Sequence, residues 1–435
     1  MAVRIVNWNS RTRGGPVAAF LQRPAFDRRA EGVARRVIEK IRTGGEGAIA
    51  ACMRRFDGVT LAPAAWRVTA AELREARHQV SAADRRAIRE THRRIAAFAR
   101  AGLSRDWSMR TRHGGKLGER FVPFERVGVY VPGGQVPLVS TALMTATLAR
   151  VAGVAEVVAC TPSDREGRIN PRLLHALAVA GATEIYRVGG IQAIGLMAYG
   201  TGRIAKVQKI VGPGGPYVTA AKRVVYGDVA LDLVAGPSEI AVLSDGSMPA
   251  RCVAADLLSQ AEHGTGWEKA LLVTPSAKHA RDVAKALAKQ LATLPRAAAV
   301  GNVIVAGGLL LVTVKTLADG VELCNRFAPE HLELMVRKPE RVLKTVTCAG
   351  AVFLGPWTPE SAGDFVAGPS HVLPTGGAAA LFSGLTVNDF QRRTSVIAFS
   401  RKDLEETLPV IEAFGRMEML EGHARAARLR FGSDE

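Results

Sequence analysis

From about residue 127 the chain alternates short β-branched runs with Ala-rich stretches of helical periodicity, the pattern of a parallel sheet clad by helices. VGVYV (127–131), EVVAC (156–160), EIYRV (184–188) and KIV (209–211) read as strands. STALMTATLARVAG (140–153), PRLLHALAVAGA (171–182), IQAIGLMAYG (191–200) and PYVTAAKRVVYG (216–227) read as the helices between them. A second series follows, with strands near 239–244, 270–274 and 302–305 and helices near 250–262 and 278–294. The fold class is therefore α/β, with two Rossmann-like but incomplete α/β/α domains built on parallel sheets. Upstream, SAADRRAIRETHRRIAAFAR (81–100) has one apolar stripe and places its arginines on the other face. The last fifty residues lose the alternation: TSVIAFS (394–400) reads as a strand and helices follow from Lys402. A tail of that size is too small to fold alone and must dock on other structure.

Composition bounds this picture. A chain of 435 residues exceeds what one hydrophobic core usually serves, which fits two sizeable domains. The longest apolar run, Val303–Val314, is too short for a membrane span, and its paired glycines read as a turn between strands. The amino terminus lacks the apolar stretch of a secretory signal, so a cytoplasmic protein with no membrane partner is expected. Cys52, Cys160, Cys252, Cys324 and Cys348 form no CxxC pair and sit among apolar residues, as expected of reduced, buried thiols. The net charge of +18 is concentrated at the front: residues 1–120 hold 26 Lys plus Arg against 11 Asp plus Glu. These cations lie on helical patterns without interleaved aromatics, which reads as a solvated face and gives no support for a nucleic-acid partner.

Glycine turns follow three strands, VPGG (131–134), VGG (188–190) and GPGG (212–215), where a parallel sheet presents backbone to a ligand. None matches GxGxxG, and plain tight turns account for each equally well. Of nine histidines, His263, His331, His371 and His423 stand in polar or turn-rich contexts; His78, His92, His113, His175 and His279 read as helix-surface or loop residues. Gln260 and His263 share one face near a helix end, which suits a shared ligand as well as a capped terminus. In FAPEHLEL (327–334), Glu330 beside His331 at a helix-to-strand junction can divide general-base work or form an exposed loop pair. SAGDFVAGPSHVLPTGG (361–377) is a surface loop or a binding loop carrying Asp364 and His371. Glu418 and His423 fall in MEMLEGHARAARLR (417–430), by itself an amphipathic charged helix.

Taken in order, GPSEI (236–240), LLSQAEHG (257–264), APEHLEL (328–334), the GDF to HVLPTGG loop (363–377), SGLTVNDF (383–390) and EGHA (421–424) resemble the histidinol dehydrogenase family, with matching spacing from about residue 30 to 430. The resemblance implies a zinc- and NAD-dependent enzyme that oxidises L-histidinol through L-histidinal to L-histidine in a four-electron reaction, the last step of histidine biosynthesis. It implies one zinc per subunit on Gln260, His263, Asp364 and His423. His331 and Glu330 would be the general bases, Ser238, His371 and Glu418 further substrate contacts, and Tyr130, Gln192 and Gly215 cofactor contacts. It also implies a homodimer with shared active sites, whose tails cross between subunits.

On that basis the chain divides into a small helical arm (1–25), a large α/β domain carrying the metal and catalytic residues (26–127 and 236–385), an inserted Rossmann-like domain contributing to NAD binding (128–235), and a tail docking on the partner subunit (386–435). Three positions depart from the family pattern. Gly215 stands where Asn is usual, Ala380 where Arg is usual and Phe365 where Tyr is common. They leave room for a paralogous zinc- and NAD-dependent dehydrogenase of another small polyol or amino alcohol, such as a sulfonated diol.

Overall fold

The computed structural model describes residues 3–11, 14–23, 27–133, 136–233 and 236–432. Gly134 of the VPGG turn, parts of the expected N-terminal arm and the last three residues of the expected tail lie outside the described residues. The chain forms two compact units, Met1–Gly102 with Phe124–Phe390, and Leu103–Pro123 with Gln391–Glu435.

The first unit holds two parallel sheets. One has five strands in the spatial order Glu184–Tyr186, Glu156–Cys160, Arg126–Tyr130, Lys209–Val211, Ala230–Leu231. Helices Val139–Ala152, Pro171–Ala180, Gly190–Tyr199 and Pro216–Val224 connect them, as the alternation of apolar runs requires. Their ends follow local rules: Asn170 caps the second by accepting from Arg172 N, Pro171 supplies a helical φ, and Gly181 ends it at φ +89°. A Cβ on Gly128 would stand 2.5 Å from Met197 Sδ, so the glycine lets helix Gly190–Tyr199 lie directly on the central strand.

The helices between residues 28 and 102 pack with this sheet, whereas the sequence placed 26–127 with the large domain. Helix Arg28–Cys52 buries Ala34, Ile38, Ile41 and Ile49 in one core with Ile194, Ala198 and Val218; each large side chain contributes about 1.5–3 kcal/mol of burial. Helices Ala70–Gln79 and Ala82–Gly102 pack on the Val139–Ala152 and Pro171–Ala180 helices, with His92 Nδ1 3.0 Å from Thr147 Oγ1 and Arg172 paired to Asp84 at 2.9 Å. Ile88, Ile95, Ala96 and Ala99 form the buried stripe, while Arg86, Arg89, Arg93 and Arg94 face water.

The other sheet has six parallel strands in the order Arg4–Asn7, Leu309–Thr313, Lys269–Thr274, Glu239–Ser244, His331–Met335, Ala351–Leu354. Two expectations are corrected here. The amino terminus is not simply a helical arm: residues 4–7 complete the sheet edge by pairing with Leu310–Thr313, ahead of the short helix Gly15–Leu21. The segment near 302–305 belongs to helix Ala297–Val305, and the strand begins only at Leu309, after Gly307 at φ +70° turns the chain. The glycine pair therefore joins helix to strand. His175 and His279, read as surface or loop residues, are buried, and His279 Nε2 lies 3.0 Å from Ser244 Oγ. Cys252 is exposed and Cys348 partly so, against the expectation for all five thiols.

The second unit is a three-stranded antiparallel sheet, Gln391–Ala398 beside Lys116–Pro123 beside Trp107–Arg110, with helices Arg401–Met417 and Glu421–Arg428. The tail thus docks on residues 103–123 of its own chain, a hairpin the helical reading of the amino-terminal region passed over. Asp403 joins them by accepting from the backbone N–H of Gly115 at 3.1 Å, His113 at 3.3 Å and Ser400 at 2.9 Å. The stretch 417–430 is not one helix: Met419 at φ +55° turns the chain between the two. Among the described residues no helix is long and apolar enough to cross a membrane.

Candidate metal and catalytic site

Helix Leu317–Phe327 ends at Ala328, which adopts φ +44° just before Pro329, a conformation that costs a β-carbon residue of order 1–3 kcal/mol. The turn delivers Glu330 and His331 to the head of the strand next to the sheet edge, with His331 opposite Ile240 and Ala351. Both side chains are buried. Glu330 Oε2 accepts from Glu239 N at 3.0 Å, and His331 Nδ1 lies 3.1 Å from Glu239 O. A carbonyl can only accept, so Nδ1 carries hydrogen and the lone pair of the neutral ring sits on Nε2. His331 Nε2 is buried without a hydrogen-bond partner, 3.5 Å from Asp364 Oδ1.

Burial pushes the Glu330 carboxyl up to about 8. At His331, burial favours the neutral ring, but the carboxylates of Glu330, Asp364 and Glu360 outweigh it and raise the imidazole to about 10. Burial likewise opposes ionisation of Asp364, yet the neighbouring His331, His371 and His263 hold its carboxyl below the ordinary aspartate value.

Gln260 is fully buried near the end of helix Ala250–Ala261, and His263 follows just beyond it. In the orientation that turns its nitrogen toward the acceptor oxygens, the Gln260 amide nitrogen donates to Glu360 Oε1 at 2.7 Å and to Glu239 O at 3.3 Å. Its oxygen is then the atom 3.4 Å from His263 Nδ1. Asp364 lies on helix Glu360–Phe365, which starts with the buried Glu360. His331, Glu360 and Asp364 each offer a ligand atom within 4.8 Å of one another.

These residues fit a divalent cation. Glu239, Glu330, Glu360 and Asp364 converge on one end of the sheet, where Arg23 pairs with Glu239 at 2.5 Å and His331 faces the others. An amide oxygen, imidazoles and a carboxylate make a mixed N/O donor set suited to zinc or manganese. Glu360 was not singled out from sequence; its signal was its place four residues before Asp364, one helical turn away.

The other expected site residues are placed as follows. Ser238 directly precedes the strand that begins at Glu239, beside Glu330 and His331. The GPSEI and HVLPTGG loops meet where Gly236 N donates to Thr375 Oγ1, and both line a cavity of about 890 Å³ that also exposes Arg23 and Lys269. His371 is half-buried with both ring nitrogens engaged, Nδ1 3.1 Å from Asp364 O and Nε2 2.9 Å from Thr141 Oγ1. It ties the Asp364 segment to the helix Val139–Ala152. Glu418 and His423 belong to the second unit, at the end of one tail helix and within the next.

Tyr130, Gln192 and Gly215 lie at the carboxyl ends of the five-stranded sheet, where strand order reverses about Arg126–Tyr130. The Tyr130 hydroxyl accepts from Gly190 N at 3.2 Å, and burial pushes it up to about 12. Gln192 donates to Asp57 Oδ2 at 2.7 Å, leaving its buried Oε1 without a partner. Gly215 precedes helix Pro216–Val224 with φ −66°, and a Cβ there would meet nothing within 4 Å, so nothing steric excludes a side chain.

Comparison with known proteins agrees with this arrangement. The family model described as histidinol dehydrogenase matches residues 22–431. A histidinol dehydrogenase of Symbiobacterium thermophilum is 43% identical over 422 residues, covering 96% of each chain. One of Xylella fastidiosa is 42% identical over 99% of this chain and 100% of its own. The crystal structure of a histidinol dehydrogenase from Elizabethkingia anophelis superposes with a TM-score of 0.93 at 33% identity, covering 99% of this chain and 98% of that one. With fold, motif order and family model in agreement, this chain belongs to the histidinol dehydrogenase family and is a dehydrogenase of that type.

Proposed function

We propose that the chain is a cytoplasmic, zinc- and NAD-dependent histidinol dehydrogenase that oxidises L-histidinol through L-histidinal to L-histidine, the last step of histidine biosynthesis. The observation that carries this reading is the buried His331 Nε2, unpartnered and beside Asp364, with Glu330 adjacent. Gln260, His263 and Asp364 would hold zinc, with His423 as fourth ligand. When bound, zinc supplies a template for the substrate's amine and imidazole nitrogens, and NAD supplies the electron acceptor at each of two oxidations.

In the neutral form, which a dication held by Asp364 would favour by offsetting the carboxylates that raise the imidazole, His331 takes the hydroxyl proton at Nε2 as the alcohol carbon is oxidised, because the Glu239 carbonyl holds its Nδ1 protonated. Glu330, made more basic than an exposed glutamate by burial, takes a proton from water as that water adds to the aldehyde. The hydrated aldehyde then loses its second pair of electrons and the acid forms. Ser238 and Glu418 contact the substrate, and Tyr130, Gln192 and the turn at Gly215 contact the cofactor. His371, with both nitrogens engaged, holds Asp364 in place and contributes to substrate binding through that ligand.

Zinc-loaded protein should reduce NAD with L-histidinol and not with sulfonated diols. Turnover of a diol with none of L-histidinol would favour the paralogue reading that Gly215 keeps open. We further propose a homodimer in which Glu418 and His423 serve the partner's site. Large apolar side chains exposed on the second unit support it: Trp107, Met109, Ile397, Phe414, Met417 and Met419. Mixing subunits that carry His331→Ala with subunits that carry His423→Ala should restore activity to inactive parents, since one composite site would then be intact. No recovery after subunit exchange would remove the shared-site reading.

A further inference from the structure

Glu360 is a buried acid of this site that the reaction above leaves unused and that, unlike Glu239, has no arginine partner among the described residues. It is 2% exposed, opens helix Glu360–Phe365 and stands one turn before Asp364. Its contacts are specific. Its backbone N donates to Glu333 Oε1 at 2.8 Å, its Oε2 accepts from Ser259 Oγ at 2.6 Å, and its Oε1 lies 2.7 Å from the Gln260 amide nitrogen and 3.4 Å from His331 Nδ1.

An acid in this place has two candidate roles. Proximity to His331 and Asp364 would make it a metal ligand in its own right. Its oxygens, however, already accept from a hydroxyl and an amide of consecutive residues, Ser259 and Gln260. The amide decides between them. A side-chain amide offers oxygen on one side and nitrogen on the other, and only the oxygen can bind a cation. A half-turn of that group about its last bond would put nitrogen where the ligand atom belongs. The backbone carbonyl of Glu239, 3.3 Å away, can only accept, and Glu360 Oε1 lies on the same side at 2.7 Å, so these two oxygens select the nitrogen and send the oxygen toward His263 Nδ1, 3.4 Å away.

Building on the zinc reading above, we propose that Glu360 is a positioning residue that pins the Gln260 amide nitrogen and so presents the Gln260 oxygen as a metal ligand. One short helix thereby contributes a ligand through Asp364 and orients a second ligand through Glu360. Such an arrangement explains how a glutamine, a weak donor with two interchangeable faces, serves in a set otherwise made of imidazole and carboxylate.

Zinc affinity, read by competition with a chromophoric chelator, and the visible spectrum of the cobalt-substituted protein test this. Glu360→Gln should weaken zinc binding by about 10- to 100-fold and shift the cobalt bands. Combining Glu360→Gln with Gln260→Glu should recover most of the loss, because the exchanged pair again offers a metal-facing oxygen and an amide nitrogen to hold it. Ser259→Ala, which frees only Oε2, should weaken binding by about threefold and serves if the other variants do not fold. Wild-type affinity in Glu360→Gln, or a double variant no better than the single, overturns the proposal while leaving the zinc site intact. Unchanged affinity in Ser259→Ala counts against it in the same way. Failure of the wild-type protein to bind zinc would instead overturn the site reading, and this proposal with it.

Discussion

Both parallel sheets of the first unit gather charged residues at the amino ends of their strands, but only in the six-stranded sheet does that end form the candidate metal and catalytic site; in the five-stranded sheet the candidate cofactor contacts lie at the carboxyl ends. In the five-stranded sheet the strands begin on a matched ion cluster, Arg126 with Glu156 at 2.6 Å and Glu184 at 2.9 Å, and end in the glycine turns around Tyr130, Gly190 and Gly212. In the six-stranded sheet the strand heads carry Glu239 and His331, joined by Glu330, Glu360 and Asp364. Backbone recognition of a cofactor uses the carboxyl ends, where helix N-termini and open turns point outward. The candidate metal and catalytic residues gather instead at the amino end of the six-stranded sheet, where Gln260 arrives on the end of a returning helix. The amino end of the five-stranded sheet neutralises its acids with Arg126; that of the six-stranded sheet gathers four acids near Arg23 and an imidazole, a deficit of positive charge that a dication would offset.

The largest effect should come from the acid-rich edge. His331→Ala should lower kcat by about 10²- to 10⁴-fold while zinc content stays near wild type. Loss of metal in step with activity would show that the ring is a ligand rather than a base. Glu330→Gln sharpens the electrostatic side of the contrast. An acid raised from 4.5 to about 8 keeps its proton in the folded chain and loses it in the unfolded one. The folded state therefore binds more protons across that window, and stability falls as pH rises from 4.5 to 8, by on the order of a few kcal/mol. Metal-free Glu330→Gln should match wild type near pH 5 and exceed it progressively toward pH 8 in urea unfolding; parallel profiles would refute a buried, protonated Glu330. The smallest effect belongs to the other sheet. Gly215→Asn has open space to fill and should lower the KM for NAD by about 2- to 10-fold, the worth of one hydrogen bond, without altering zinc content. An unchanged KM would place the cofactor away from that turn.

Much of this was legible along the chain because it depends on local periodicity. The β-branched runs near 127–131, 156–160 and 209–211 and their intervening helices appear within a few residues of where the alternation puts them. Errors arose where two structures share one pattern. Val303 and Val305 suit a buried helix as well as a strand, and only the glycine turn before Leu309 separates them. The four residues Arg4–Asn7 are too few to show a period and become a strand by finding a free sheet edge. The amphipathic helix Arg28–Cys52 revealed that it had a buried face but not which sheet that face covers.

At the site, the ordered motifs identified Glu330, His331, Gln260, His263 and Asp364 as candidates, since residue type and order survive in the linear chain. Their sharing one sheet end, the choice of His331 Nε2 as the free atom, the orientation of the Gln260 amide and the part of Glu360 were decided by tertiary structure. Each depends on atoms separated by about seventy to one hundred residues, as in Glu239 to His331 and Ser259 to Glu360. Hydrogen-bond direction and the loss of water on burial act between groups in space, so no reading of neighbours along the sequence contains them.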